Sequence, residues 1–222
     1  MALYAGIDVG GTFTDFALMD DETGEIRLGK TLTSADDPSI AVLSGLEAVV
    51  RSAGREPSEL AHVVHATTIA TNTVIQRRGA KTALLTTSGF RDVLLIGRQR
   101  RFELYDNTIG KPVPLIPRDM CFEADERLLW DGKVHKPLDE ESVRVAARAM
   151  KEAGVAAVAI CFLHSYVNPA HERRAAEILA EEAPGIAVSV SSEVSPVYRE
   201  YERASTTALN AYVIPAVNDY IG

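Results

Sequence analysis

The sequence predicts an α/β fold built on a mixed sheet that begins antiparallel. Three observations carry that prediction. Residues 2–9 and 13–19 are apolar, strand-forming runs separated by a short glycine turn, so they pair antiparallel. A third strand, at about 25–32, follows the solvated turn Asp20-Asp21-Glu22-Thr23-Gly24 and completes a three-strand antiparallel meander. Helical and strand patterns alternate from there on, which adds further α/β units.

Each later element has its own signal. Asp37 is a candidate helix cap with Pro38 at the first helical position. Val42, Leu46, Val49 and Ala53 then recur at helical spacing, with Gly54 as the stop. His62–Ala66 reads as a short strand. Thr67 or Thr68 caps a helix to about Arg78, ended by Gly79. Residues 80–87 form a strand. Residues 97–118, with three prolines and the basic run Arg98-Gln99-Arg100-Arg101, are irregular and long enough to suggest a functional loop. Residues 120–136 predict a hairpin around Asp131-Gly132. Asp139 caps a helix to about Ala153, with Leu138 and Val143 as a hydrophobic staple. A strand at 155–162, a helix from Asn168-Pro169 to Pro184-Gly185, a strand near 186–190 and a helical stretch at about 197–221 complete the chain.

The composition is that of an ordinary globular protein, 46% apolar and 24% charged over 222 residues. The net charge of -8 gives no basic excess for nucleic acid. No apolar run approaches the ~20 residues that span a bilayer, and the N-terminus lacks a signal-peptide pattern, so cytoplasm is the default expectation. Cys121 and Cys161 form no CxxC and imply no disulfide framework; core packing is the expected role of both.

The chemistry concentrates at Asp8-Val9-Gly10-Gly11-Thr12-Phe13-Thr14-Asp15. Paired glycines allow positive φ and close approach of a ligand, and successive N–H groups in such a turn make an anion-binding concavity. Thr12 and Thr14 add hydroxyls. Asp8 can hold Mg²⁺ through water, with Asp15 as the second, weaker metal candidate. The segment lacks the Gly-Lys-Ser/Thr of a Walker loop, and a strand follows it where a dinucleotide fingerprint would open a helix. It therefore reads as a hairpin for nucleotide phosphates, with Gly10, Gly11, Thr12, Phe13 and Thr14 as the nucleotide-binding residues and ATP with Mg²⁺ as the expected cofactors.

That octet resembles the first phosphate loop of the actin-like ATPase superfamily, which implies a ribonuclease H-like first lobe. Four further stretches narrow the resemblance: HATTIATNTVIQRRGAKTALLTTSGFRDVL from His65, GRQRRFELYD from Gly97, AVAICFLHSYVNPAHE from Ala157 and YREYERASTTALNAYVIP from Tyr198. In that order they resemble the hydantoinase A/5-oxoprolinase family across essentially the whole chain. Two positions depart from it: Ala66 replaces the usual glycine after His65, and Phe102 stands where proline is common.

The resemblance implies an ATP-dependent hydrolase subunit that opens a cyclic amide of the hydantoin or 5-oxoproline type by phosphorylating the amide oxygen. It implies a partner subunit or domain of the hydantoinase B type. Residues 1–190 would be the N-terminal ATPase lobe and 191–222 the start of a second region, with the second phosphate loop and adenine site beyond residue 222. ATP binding by this chain alone is then expected to be millimolar or weaker and without turnover. The alternatives are a subunit of an acetone- or acetophenone-type carboxylase, and a nucleotide-binding subunit with no chemistry of its own.

Asp8 and His65 are the candidate catalytic residues, His65 being either an acid–base group or a hydrogen-bonded structural histidine. Thr68, Asn72 and Arg98 are the candidate substrate contacts, with a solvated loop as the competing reading for Arg98. Tyr105 and Asp106 would line the pocket or stabilise the loop. His164 and His171 lie across a strand end and a helix start, so packing is expected there instead of a metal site. Glu200 and Arg203 have the spacing of a surface ion pair, although the family resemblance would turn this segment toward a cleft.

Overall fold

The computed structural model describes residues 2–34, 38–99, 105–106, 108–110 and 112–221; the side chain of Pro38 is outside that description. The chain divides into two compact units, residues 1–76 with 220–222, and residues 77–219.

The first unit opens with β1 (Leu3–Val9), β2 (Phe13–Asp20) and β3 (Ile26–Leu32), followed by α1 (Pro38–Ser52), β4 (Leu60–Thr67) and α2 (Ile69–Ile75). Its sheet has the order β3-β2-β1-β4. The first three strands form the expected antiparallel meander, while β4 joins β1 in parallel, so the sheet is mixed. Leu3, Ala5, Ile7 and Val9 point to one face and pack with Phe16, Leu18 and the α1 residues Val49 and Val50. Val42, Leu46 and Ala53 pack at the margin of this cluster, as the helical spacing requires. The opposite face carries Asp8, Asp15, Leu28 and Val64, all exposed. The predicted cap Asp37 lies outside the described residues. α2 stops at Ile75, short of the expected Arg78, and Arg77 takes a left-handed φ of 51° two residues later.

The second unit contains β5 (Thr82–Thr87), α3 (Val93–Ile96), β6 (Cys121–Ala124), β7 (Arg127–Leu128), β8 (Val134–Lys136), α4 (Glu140–Glu152), β9 (Ala157–Cys161), α5 (Ala170–Glu182), β10 (Ala187–Val190), α6 (Ser191–Val194) and α7 (Glu200–Ile221), whose last two residues count with the first unit. β5, β6, β9 and β10 do not extend the first sheet. They build a second one, β10-β9-β5-β6, parallel throughout. β5 and β9 are buried along their whole length, as expected of strands covered on both faces. α4 and α5 cover one face through Val143, Met150, Ile178 and Leu179. The small residues Ala204, Ala208 and Ala211 of α7 cover the other, against Leu84, Ala159 and Cys161. Each large apolar side chain buried in this way stabilises the fold by about 1.5–3 kcal/mol.

The hairpin predicted over 120–136 is only partly present. β7 and β8 form it around Gly132, which has φ +81°. The preceding β6 leaves to pair in parallel with β5 instead. Asp139 caps α4 as expected, its carboxylate accepting the Glu141 N–H at 3.1 Å. No helix among the described residues is long and apolar enough to cross a membrane.

Candidate functional site

The β1–β2 turn is built from backbone contacts. The Gly10 N–H donates to the Phe13 carbonyl at 2.9 Å, and the Thr33 N–H donates to the Thr12 carbonyl at 2.9 Å. Thr33 Oγ1 donates to the Gly10 carbonyl at 2.9 Å and lies 3.0 Å from Thr14 Oγ1. Because the single Thr33 hydroxyl proton is used on Gly10, Thr14 must donate to Thr33. Thr14 is also fully buried. Its hydroxyl therefore braces the turn from below and is not free for a phosphate, which corrects the expectation drawn from its place in the motif.

The glycines serve closeness and not handedness. Neither has positive φ, contrary to the reading of the sequence. A Cβ on Gly10 would stand 2.9 Å from the Phe13 carbonyl oxygen, a backbone atom that cannot move aside. A Cβ on Gly11 would stand 3.2 Å from Asn72 Nδ2. Asn72 is held there by its own bond to Thr68 Oγ1, 3.1 Å long, and by its N–H to the Thr68 carbonyl at 2.9 Å. Thr68 is the N-cap residue of α2 but its side chain makes no cap bond; Thr67 Oγ1 instead accepts the Ile69 N–H at 3.2 Å while donating to the Val9 carbonyl at 3.2 Å. The β4–α2 junction is thereby fastened to the end of β1. Gly10, Gly11, Thr12, Thr68 and Asn72 form one cluster. Among the described residues, the N–H groups of Gly11 and Thr12 have no intramolecular acceptor.

Asp8 and Asp15 are directly opposed in the antiparallel register, so their carboxylates share the open face of the sheet. Asp15 is bound by Lys30 at 2.9 Å, and the Lys30 ammonium also sits 4.7 Å from the centre of the Phe13 ring. Asp8 is exposed and, among the described residues, has no ion pair or hydrogen bond. Among the described residues there is also no group of three or more His, Cys, Asp or Glu side chains placed to hold a metal. A single free carboxylate beside a turn of free N–H donors fits Mg²⁺ that keeps its water and bridges to phosphate, and does not fit an all-protein cage. Asp8 is the residue that would hold the ion; the Lys30 charge opposes the same role for Asp15.

His65 is not part of this cluster. It pairs with Ile7 in the parallel ladder, and Asp8 pairs with Ala66, so His65 points to the α1 face while Asp8 points to the other. Its Nε2 lies 2.5 Å from Tyr220 Oη, and Tyr220 packs at the margin of the α1-side core. The structure does not bring the two catalytic candidates Asp8 and His65 together: a one-residue offset along β4 puts the sheet between them.

Arg98 belongs to the second unit. Its Nε donates to Glu202 Oε1 at 2.9 Å. The own backbone N–H of Glu202, and then Arg98, hold that carboxyl below the usual carboxylate range. Arg98 lines a cavity of about 750 Å³ with residues of α3, the 112–116 segment and α7. Tyr105 is highly exposed, and Asp106 accepts from both the N–H and the hydroxyl of Thr108. Arg100, Arg101 and Phe102 lie outside the described residues.

No sequence pattern pointed to the buried polar network of the second unit. The strand order of its parallel sheet reverses between β5 and β9: the chain leaves β5 toward β6 on one side and leaves β9 toward β10 on the other. The crevice at the carboxyl ends of two such strands is where open α/β sheets receive ligands. Here Glu126 fills it, accepting from Thr87 Oγ1 and lying 2.7 Å from His171 Nδ1. Beside it, Glu172 accepts from the Phe162 N–H at 2.8 Å, Ser191 Oγ at 2.6 Å and the Ser192 N–H at 2.9 Å. Arg203 is fully buried and donates to Ser191 Oγ at 3.1 Å, the Val197 carbonyl at 3.3 Å and the Phe162 carbonyl. Of the two readings left open for Glu200 and Arg203, the surface pair does not form: Arg203 points into the core. Burial pushes the Cys161 thiol up to about 11, in keeping with a packing role.

Comparison with known proteins gives this geometry its context. The model of the hydantoinase/oxoprolinase N-terminal region matches residues 4–183. The chain belongs to the hydantoinase/oxoprolinase family. Among the relatives of this family member are an uncharacterized protein of Methanocaldococcus jannaschii, 40% identical over 100% of the chain and 32% of the relative, and the caprolactamase subunit alpha of Pseudomonas jessenii, 38% identical over 97% of the chain and 32% of the relative. The acetophenone carboxylase gamma subunit of Aromatoleum aromaticum is 39% identical over 97% of the chain and 32% of its own length. In three dimensions the chain matches a nucleotide-free acetone carboxylase with a TM-score of 0.89 at 30% identity, covering 97% of this chain and 32% of that one. It matches the ATP-dependent caprolactamase of Pseudomonas jessenii with a TM-score of 0.87 at 38% identity, covering 98% and 32%. The hydantoinase/oxoprolinase chain therefore spans about a third of the length of the curated relatives it matches.

Proposed function

We propose that this chain is the N-terminal, ATP-binding region of a subunit that opens a cyclic amide at the expense of ATP. The observation that carries the proposal is the pair of free N–H donors at Gly11 and Thr12, beside the unpaired Asp8 carboxylate. Backbone donors fixed by Thr33, Thr14 and Asn72 need no rearrangement to receive phosphate oxygens, and phosphoryl transfer depends mainly on positioning and charge stabilisation. In this reading the turn is the first phosphate loop of an actin-like, ribonuclease H-like lobe. Bound Mg²⁺ would neutralise phosphate charge.

The residues of the chain would hold the nucleotide. Gly11 and Thr12 would donate to its phosphates, and Asp8 would hold the hydrated ion. In this reading the amide oxygen would be phosphorylated with release of ADP; one water would add to the activated carbon and C–N cleavage would leave an acyl phosphate, which a second water would hydrolyse to carboxylate and phosphate. Relatives named as caprolactamase, whose solved structure is titled ATP-dependent, and as 5-oxoprolinase support the amide. Relatives named as subunits support a partner subunit, which we assign to the hydantoinase B type.

A second reading rests on the carboxylase relatives, whose similarity to this chain is as high: phosphorylation of a ketone enol followed by carboxylation. ATP hydrolysis by the complete protein with its partner separates the two. Stimulation by hydantoin or a lactam without bicarbonate supports the hydrolase, and stimulation only by a ketone with bicarbonate contradicts it. Asp8→Asn is expected to lower stimulated turnover by a factor on the order of 100, about 2.7 kcal/mol of transition-state stabilisation. Unchanged turnover would assign the chain to a nucleotide-binding role without chemistry.

A further inference from the structure

We propose that Lys30 contacts nucleotide phosphate beside the Gly11–Thr12 turn, that Asp15 positions it there, and that it makes affinity depend on the number of phosphates. This rests on the proposed function, in which the turn receives a nucleotide. Lys30 lies outside the Asp8–Asp15 segment and reaches the same place through strand register. Asp8 opposes Asp15 across β1 and β2, and Asp15 opposes Lys30 across β2 and β3. The three side chains therefore stand in a row on the open face of the sheet, with neighbouring Cβ atoms about 4.5–5.5 Å apart. The ammonium leans toward the turn. It lies 2.9 Å from Asp15 Oδ1 and 4.7 Å from the centre of the Phe13 ring, and Phe13 directly follows Thr12. Carboxylate and ring together fix where the charge sits. An ammonium has three donors. One is spent on Asp15, and with more than half of the side chain exposed the other two are open to a ligand.

Charge gives this contact its purpose. Asp8 and Asp15 repel an incoming phosphate, and the free N–H groups of Gly11 and Thr12 carry only partial charge. The other Lys and Arg side chains of residues 1–76 are Arg27, Arg51 and Arg55. Arg27 opposes Leu18 and is held by Glu25 and the Ser52 carbonyl. Arg51, next to Ser52, is held by Glu47, and Arg55 by Asp20 and Glu59. All three lie toward the end of the strands away from the turn. Among the described residues of the first unit, Lys30 is thus the basic side chain that a phosphate at the turn can meet. A lysine binds phosphate as a point charge, so its attraction grows with the charge of the ligand. Asp15 then serves to hold Lys30, while Asp8 is left for the hydrated ion.

The probes are ATP, ADP and AMP, each with Mg²⁺, titrated by calorimetry into the complete protein. Affinity is expected to fall in that order. Lys30→Met is expected to weaken ATP about tenfold and AMP no more than about twofold, compressing the series, with a melting curve close to that of the unmodified protein. Lys30→Arg keeps the charge and is expected to restore most of the series. A merely structural lysine would weaken all three nucleotides alike, and that result overturns the role of Lys30. So does ATP affinity in Lys30→Met within about twofold of the unmodified protein. The Gly11 and Thr12 amide signals, followed by NMR in the same titrations, report on the turn separately. If they move with Mg-ATP while Lys30→Met binds normally, Lys30 is no phosphate contact and the proposed function stands. If no nucleotide moves them, the proposed function fails and the role of Lys30 fails with it.

Discussion

The first sheet is covered by α1 on one face and leaves Asp8, Asp15, Leu28 and Val64 exposed on the other, whereas β5 and β9 of the second sheet are buried along their whole length. The difference extends to the polar groups. In the first unit the groups suited to a ligand are unpartnered: the Gly11 and Thr12 N–H groups and the Asp8 carboxylate. In the second, the place where an open α/β sheet would receive a ligand is filled by Glu126, which is held by Thr87 and His171. Similar strands can thus be used for binding or for stability, and the distinction lies in whether their polar groups are already satisfied.

The test with the largest expected effect attacks the closed region. Arg203→Ala removes three hydrogen bonds and takes the donor from the buried Ser191 hydroxyl, the buried Phe162 carbonyl and the part-buried Val197 carbonyl. A loss of about 3–5 kcal/mol is expected in urea unfolding of the second unit, on the scale of breaking a buried charged network. A loss below ~1 kcal/mol would mean that Arg203 is not held as described. Gly10→Ala attacks the open region. Its methyl would meet the Phe13 carbonyl at 2.9 Å, so the turn must open. A cost of about 1–3 kcal/mol is expected, with nucleotide affinity falling more steeply than stability.

Acidification sharpens the comparison at smaller amplitude. A hydrogen bond from Arg55 holds the Asp20 carboxyl of the first unit below its ordinary range, and one from Arg118 does the same for Asp92 of the second. A carboxyl whose folded pKa is depressed stabilises the fold above its unfolded value and loses that contribution as pH falls through the folded value. Both units are therefore expected to lose stability below about pH 4, and Arg55→Met is expected to flatten only the first unit's dependence. Thermal melts from pH 5 to pH 2 check this, and an unchanged first-unit slope in the variant contradicts it. The smallest effect is expected at Lys30→Met, which breaks an exposed pair with Asp15 worth about 0–1 kcal/mol. A loss in urea unfolding well above that range would show the pair to be structural.

Much of this was legible in the sequence. The meander was readable because glycine turns separate strand-forming runs, and the Asp8–Asp15 segment stood out because its glycines sit among acids and hydroxyls. The face on which His65 lies was not readable. Two residues of β4 differ in face by one step of register, and register with β1 is a tertiary fact. Thr14 was misassigned for a related reason: the motif places a hydroxyl in the turn, but strand parity turns it inward to Thr33. Arg203 escaped because its spacing from Glu200 satisfies a local helical rule, while its partners lie on the segments after β9 and β10. The start of the predicted 120–136 hairpin failed because β5 offered β6 a parallel edge.

In the proposed function the Gly10–Thr12 turn cradles nucleotide phosphates. The most direct measurement is a Mg-ATP titration of the chain followed by ¹H–¹⁵N NMR. Saturable shifts are expected, concentrated at the Gly11 and Thr12 amides and the Asn72 side-chain amide and strongly weakened by Gly10→Ala. Saturable shifts confined to other residues, with Gly11 and Thr12 unmoved, would contradict it.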